Sequence, residues 1–310
     1  DLVPGRRFDY ADTSRAETVL HPAMATLRGE LHRTGARVLA VDGSRNQFLL
    51  PNLTRAWDVP VAGGTASLGI RTYMELLQMG PSGAVSPEAL GPDNRSMDLF
   101  AIRYALVPEG STLASALEHQ PARWQPRRSL HYYEDDPDTH YTLFENLRSR
   151  PRAWCAAHVE QATSRESLDI VRTGHFPDGR EFDPARTALV EPGALPPWNA
   201  QATTPVATVA RPTPRTYIVN TSSPCMLVFS EVFYPWWRAS VDNEPRVPML
   251  VNHTMLGIPL QPGSHVVRLW QRPTSVTVGA ALSGGGVLLT LALVVAPKSG
   301  RAVAQSSPRT

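Results

Sequence analysis

The sequence predicts an α+β protein. A mixed α/β N-terminal subdomain covers 1–130 and an antiparallel β-sandwich covers 131–273. One membrane-spanning helix over 274–297 and a basic tail over 298–310 complete the chain. Three observations predict this. Helical periods that stop at glycine and lead into apolar strands recur early in the chain, as in mixed α/β packing. Later, short strands punctuated by Pro, Gly and Asn follow one another every 8–12 residues or so, the spacing of a sandwich. Near the end, an uncharged apolar run extends from Val276 to Ala296.

Residues 1–20 are polar, with little periodicity, and read as an entry segment. Met24, Leu27 and Leu31 in "AMATLRGELHRT" have helical spacing, with Gly35 where a left-handed C-terminal residue belongs. "ARVLAVDG" (Ala36–Gly43) reads as a buried strand ending in a turn, and "TYMELLQMG" (Thr72–Gly80) as a second helix stopped by glycine. "MDLFAIRYALVP" (Met97–Pro108) reads as a helix end running into a strand. A Pro- and Arg-rich linker and "HYYEDDPDTHY" (His131–Tyr141) then separate the two halves. Strands dominate afterwards: "YTLFEN", "RAWCAAHV", "RTALVE", "PVATVA" and "RTYIVN". The one helix among them, "SRESLDIVRTG", has Ser164 as its expected N-cap and Gly174 as its stop. From Pro224 the pattern is a meander: "CMLVFSEVF", "WRASVD", "VPMLVN", "LGIPLQ" and "HVVRLWQR", with turns expected at "NEPR", "HTM" and "PGS".

The run "VTVGAALSGGGVLLTLALVVA" would be about 31 Å long as a helix, which matches the hydrocarbon core of a bilayer. Ala280/Gly284 and Ala281/Gly285 are small-residue pairs at the spacing that lets membrane helices approach closely, so this helix expects neighbours from elsewhere. Lys298, Arg301 and Arg309 follow it without an acid, which puts the tail in the cytoplasm and residues 1–273 outside it. The expected location is the cell membrane, and the expected first partner is the lipid bilayer.

Composition narrows the rest. The 310 residues are 42% hydrophobic, enough for a sizeable core, and the net charge is only +2. With the tail supplying three positive charges, no basic face is left for nucleic acid. Only Lys298 among the 30 basic residues is lysine, and prolines number 29, a usage expected of a GC-rich bacterium. The first residue is Asp1, and the chain reads as a fragment or a processed product. Cys155 and Cys225 lie in apolar strands and read as buried thiols, with one bridge as the alternative. Sequons fall at Asn52, Asn94, Asn220 and Asn252.

Candidate binding residues cluster at Tyr234-Pro235-Trp236-Trp237-Arg238. Flat aromatic faces suit sugar rings, and Arg238 suits an anionic lipid head. Strand pleating sends Trp236 and Trp237 to opposite faces, so one packs in the core and the other is free to line a groove. "HYYEDDPDTH" offers His131, Asp135, Asp136, Asp138 and His140 to a cation, but lacks the EF-hand pattern and reads as a solvated acidic loop. "GGTASLG" misses a nucleophile elbow because Thr65 takes the first glycine position. No sequence motif marks a catalytic centre or a metal site.

The segment "LVFSEVFYPWWRASVDNEPRVPMLVNHTMLGIPLQPGSHVVRLWQRP" (Leu227–Pro273) resembles the C-terminal signature of the YfhO-like bacterial membrane proteins. Leu50–Asn52, Asp98–Pro108, Glu145–Trp154 and Phe182–Glu191 resemble that family's ectodomain in the same order. Two positions depart from it: Trp236 replaces a glycine, and Asp242-Asn243 replaces Asp-Gly. At Asn252 the family carries an exposed Asn. The resemblance implies a polytopic protein similar to GT-C-type glycosyltransferases of envelope polymer modification. These use a polyprenyl-phosphate sugar, and their acidic catalytic residues lie in an early external loop outside this chain. Implied partners are the N-terminal transmembrane helices of the same protein and a lipid-linked sugar or cell-wall glycan. The alternative is a non-enzymatic, membrane-anchored glycan-binding sandwich.

Overall fold

The computed structural model describes residues 20–42, 46, 48–50, 53–63, 69–194 and 207–295. Helix α1 (Pro22–Thr34) starts with proline, which lacks the N–H that a first turn would leave unpaired. It ends at Gly35, whose φ of 70° costs a Cβ-free residue nothing. Its Met24, Leu27 and Leu31 bury one face of a five-stranded sheet.

That sheet is built from β1 (Arg37–Ala40), β2 (Val61–Ala62), β3 (Ile102–Pro108), β4 (Trp124–His131) and β5 (His140–Asn146), in the order β2-β1-β3-β5-β4. Strand β1 runs parallel to β2 and β3, while β3, β5 and β4 are antiparallel. Short helices α2 (Leu53–Ala56), α3 (Arg71–Leu76), α4 (Ser96–Leu99) and α5 (Thr112–Glu118) link the strands. "YTLFEN", expected in the sandwich, is β5 of this first sheet. A hairpin joins it to β4, with His131 opposite His140, and strands so connected pair with each other.

The second half holds β6 (Ala153–Ala156), β7 (His158–Gln161), α6 (Ser164–Thr173), β8 (Thr187–Val190), β9 (Ala207–Thr213), β10 (Thr216–Thr221) and β11 (Cys225–Val232). It continues through β12 (Trp237–Val241), β13 (Glu244–Arg246), β14 (Met249–Val251), β15 (Met255–Leu260), β16 (Gly263–Gln271) and α7 (Thr274–Val295). Two sheets result: β6-β11-β15-β14-β8-β7, and β13-β12-β16-β10-β9. They form a sandwich around Tyr217, Val219, Leu227, Phe229, Ile258 and Val267. The sandwich is not wholly antiparallel, because β7 and β8 are parallel and joined through α6.

Alternation along β11 explains how the halves unite. Cys225, Leu227 and Phe229 face the sandwich core, while Met226 and Val228 face a core shared with Leu39, Ala105 and Phe144 of the first sheet. The six-stranded sheet is therefore buried on both sides. Charges reinforce the join. Arg37 donates to the carbonyl oxygens of Phe100 and Ser230, both at 2.8 Å, and pairs with Glu231 at 3.1 Å. Arg152 reaches the other oxygen of Glu231 at 2.9 Å.

Three local expectations change. The N-cap of α6 is Thr163, because Glu166 three residues on completes a reciprocal capping box with it. Of "NEPR", Glu244–Arg246 is strand β13; the turn is made by Asp242 and Asn243, with φ of 53° and 70°, as a tight hairpin requires. Asn252 is fully buried, its Oδ1 accepting the Leu189 N–H at 2.8 Å, where resemblance implied exposure. Burial also removes Asn94 and Asn252 as glycan acceptors in the folded chain. Cys155 and Cys225 are free thiols, and the neighbouring Cys225 together with burial pushes the Cys155 thiol up.

Helix α7 is 22 residues long and without charge. Its side chains are described without a break from Val278 to Ala292, about 22 Å of helix. Among the described residues no helix is long and apolar enough to cross a membrane. The membrane span expected over 274–297 is therefore not supported by the described residues, which hold an uncharged helix over Thr274–Val295.

Candidate functional site

The residues singled out in the sequence occupy the connection from β11 to β12. Pro235 sets a turn closed by the Trp237 N–H donating to the Tyr234 carbonyl at 3.0 Å. Trp237 opens β12 opposite Gln271 of β16, packs on the sandwich core, and donates its indole N–H to the Val232 carbonyl at 3.0 Å. Trp236 precedes the strand and is 37% exposed, beside Tyr234 at 38%. One tryptophan is packed and the other free.

The free aromatic pair does not make a flat platform. The Tyr234 and Trp236 ring centroids are 4.6 Å apart, with planes inclined by 50°. Arg238 is spent locally: its guanidinium donates to the carbonyls of Pro235 at 2.8 Å and Trp237 at 2.7 Å, so it braces the turn. The other end of the site is the helix junction. The Arg272 N–H donates to the Trp236 carbonyl at 2.9 Å, one residue before Pro273 and two before α7. One backbone bond therefore joins the aromatic turn to the residue that precedes Pro273 and α7.

Trp237→Ala should lower stability by about 2 kcal/mol, less than a fully buried tryptophan, whereas Trp236→Ala should stay within about 0.5 kcal/mol. Thermal denaturation of the two variants tests this, and equal losses would reverse the assignment of packed and free rings.

Two clefts adjoin these elements. Val232, two residues before Tyr234, lines an apolar groove of about 280 Å³ with Ile70, Tyr73, Met74 and Met79. Burial raises the Tyr73 phenol above its ordinary pKa. A second cleft, of about 350 Å³, is lined by Arg37, Arg55, Asp58, Val61 and Arg152. Burial, with Arg37 alongside, lowers Arg152 to about 10. Both arginines are already engaged by Glu231.

One constellation has no signature in the sequence. Ser164 Oγ lies 3.1 Å from His253 Nδ1, and Glu75 Oε2 lies 3.2 Å from His253 Nε2, the residue types of a relay triad. The same Nδ1 is also 2.9 Å from the Ser164 carbonyl oxygen, so backbone and hydroxyl of Ser164 share one ring nitrogen and the set ties three segments together. These residues lie 89 and 178 positions apart, which no local motif reveals.

The remaining candidates separate. His131 and His140 stack with centroids 3.9 Å apart. Asp135, Asp136 and Asp138 are exposed, and Asp136 is occupied in accepting the Asp138 N–H at 3.2 Å. Thr65, with the rest of 64–68, lies outside the described residues. No family model, no curated protein and no solved structure matches the chain.

Proposed function

We propose that this chain is the extracytoplasmic, membrane-tethered part of a polytopic bacterial protein that transfers sugar from a polyprenyl-phosphate carrier to an envelope polymer. In this reading α7 is the membrane span, residues before it lie outside the cytoplasm, and the catalytic acids belong to another segment. The observation that carries the membrane placement is the junction of the aromatic turn with α7, made by the Arg272–Trp236 backbone bond. Exposed Tyr and Trp beside Arg, at the end of an apolar helix, are the composition of a membrane–water interface. Support also comes from α7 itself, where Val278, Leu282, Val287, Leu288 and Leu289 are each more than half exposed. An apolar helix bare on all sides needs an apolar surrounding to cover it. The sugar-transfer component rests on the resemblance of Leu227–Pro273 and the upstream segments to the YfhO-like family.

The test is flotation of the purified chain with vesicles of phosphatidylglycerol and phosphatidylethanolamine, compared with a chain ending at Pro273. The full chain should float and the truncated one should stay in the aqueous fraction. Tyr234→Ser/Trp236→Ser in the truncated chain should remove any residual association. Flotation of both chains to the same degree, or of neither, would overturn the placement of α7. Protease added to intact cells should then digest residues 20–273, and protection of that mass would reverse the orientation.

A further inference from the structure

We propose that Glu109, His131 and His140 form a binding site for a divalent transition-metal ion of the zinc class. The three side chains come from adjacent strands at one end of the first sheet. Glu109 directly follows β3, His140 opens β5 and His131 ends β4; Glu109 N–H donates to the His140 carbonyl at 2.9 Å, and His140 faces His131 across the hairpin. Directly opposed residues in an antiparallel pair project from the same face, so both imidazoles and the carboxylate share one surface. One ligand atom from each lies within 4.8 Å of the other two. Zinc–ligand bonds of about 2.0–2.2 Å put tetrahedral ligands about 3.3–3.5 Å apart. The His131 Nε2–Glu109 Oε2 separation of 3.6 Å is already close to that spacing.

The outer contacts favour a metal over a chance ion pair. His131 directs Nδ1 to Glu134 Oε2 at 3.0 Å, which leaves Nε2, 3.6 Å from Glu109 Oε2, as the ligating atom. His140 directs Nε2 to the Tyr133 carbonyl at 3.0 Å, which leaves Nδ1. Glu109 accepts from the Ser129 hydroxyl on its other oxygen at 3.0 Å. Each ligand is thus oriented through its second polar atom, the arrangement that fixes tautomer and ring angle in histidine–metal sites. The loop holding Glu134 is itself fixed: Thr139, 2% exposed, exchanges hydrogen bonds at 3.1 Å with the Tyr133 N–H and carbonyl.

Charge points the same way. Between the two histidines the chain carries Glu134, Asp135, Asp136 and Asp138 and no base, so the field at the imidazoles attracts a cation. The two imidazoles stack 3.9 Å apart with planes inclined by 17°, so binding one ion requires the rings to turn toward each other. Nitrogen and carboxylate ligands without thiolate suit zinc, cobalt or nickel better than magnesium or calcium. Three protein ligands leave a fourth position for water, as in zinc sites that act on a substrate.

Cobalt(II) titration of the chelator-treated full chain, followed by visible absorption, with a chromophoric-chelator competition for zinc, decides the matter. The expected result is one equivalent of cobalt in a nitrogen/oxygen environment, displaced by zinc. His140→Ala and Glu109→Ala should abolish the tight equivalent. Glu134→Gln should weaken it about 10–100-fold, the usual effect of losing an outer partner. All three sites are on the surface, and unchanged circular dichroism verifies folding of each variant. Binding equally tight in the His131→Ala/His140→Ala double variant, a thiolate charge-transfer band, or no equivalent bound at micromolar free metal would each overturn the site.

Discussion

Asp98→Ala should destabilise the folded chain by about 4 kcal/mol, because it leaves a buried cation unpaired. Asp98 and Arg123 are 2% and 1% exposed, and the guanidinium reaches Asp98 Oδ1 at 3.1 Å. The same oxygen accepts the Asn146 amide at 2.9 Å, and the Asp98 carbonyl accepts the Arg150 N–H at 2.9 Å. Arg123 also donates to the Gly91 carbonyl and lies 5.5 Å from the Trp124 ring centroid. Burial lowers the Arg123 pKa and the Asp98 carboxylate opposes that shift. Removing the carboxylate leaves a buried cation without its counter-charge, which costs far more than the pair contributes. The control is Asp98→Leu/Arg123→Met, which removes both charges and should recover most of the loss. Urea denaturation measures both variants together with the single changes Asp98→Leu and Arg123→Met. A double variant as unstable as the sum of its single changes would show that the pair matters through packing, not charge.

Gly174→Ala should cost about 3 kcal/mol. Gly174 ends α6 with φ of 70°, where a side chain costs about 1–2 kcal/mol in backbone strain alone. A Cβ there would also lie 2.4 Å from the Asp93 carbonyl oxygen, a backbone atom that cannot rotate away. Overpacking of that kind adds about 1–3 kcal/mol. Gly110, with φ of 69° and open space around it, is the comparison. Gly110→Ala should lose only the strain component. Equal melting temperatures for the two variants would show that the Asp93 contact contributes nothing.

These two positions differ in how they were legible. Gly174 is readable as a helix stop, because the helical period of Leu168, Ile170 and Val171 ends just before it. Its contact with Asp93 is not readable, since nothing local links the two segments. The meander from Pro224 is equally plain: alternation and proline yield β11, β12, β14, β15 and β16 nearly in place, whereas β13 falls where a turn is expected. At the start of α6 Ser164 and Thr163 are both good caps by sequence, and only the Glu166 side chain selects Thr163. Strand β5 pairs with β4 although the segment between them reads as a linker. Its ends actually meet as a hairpin.

For the candidate sites the division is sharper. The apolar character of 276–296 follows from composition. Trp236 and Trp237 do differ in environment, but because a turn ends at Trp236 and β12 begins at Trp237, not because both lie in one pleated strand. The pairing of Trp237 with Gln271 across strands fixes which ring is packed. By sequence "HYYEDDPDTH" reads as a solvated acidic loop; sheet register brings His131 and His140 together beside Glu109, 22 residues upstream. Local periodicity and turn chemistry act over a few residues, so the chain's order alone determines its elements. Register, burial of charge and convergence of side chains depend on contacts between distant segments, and only the tertiary structure decides them.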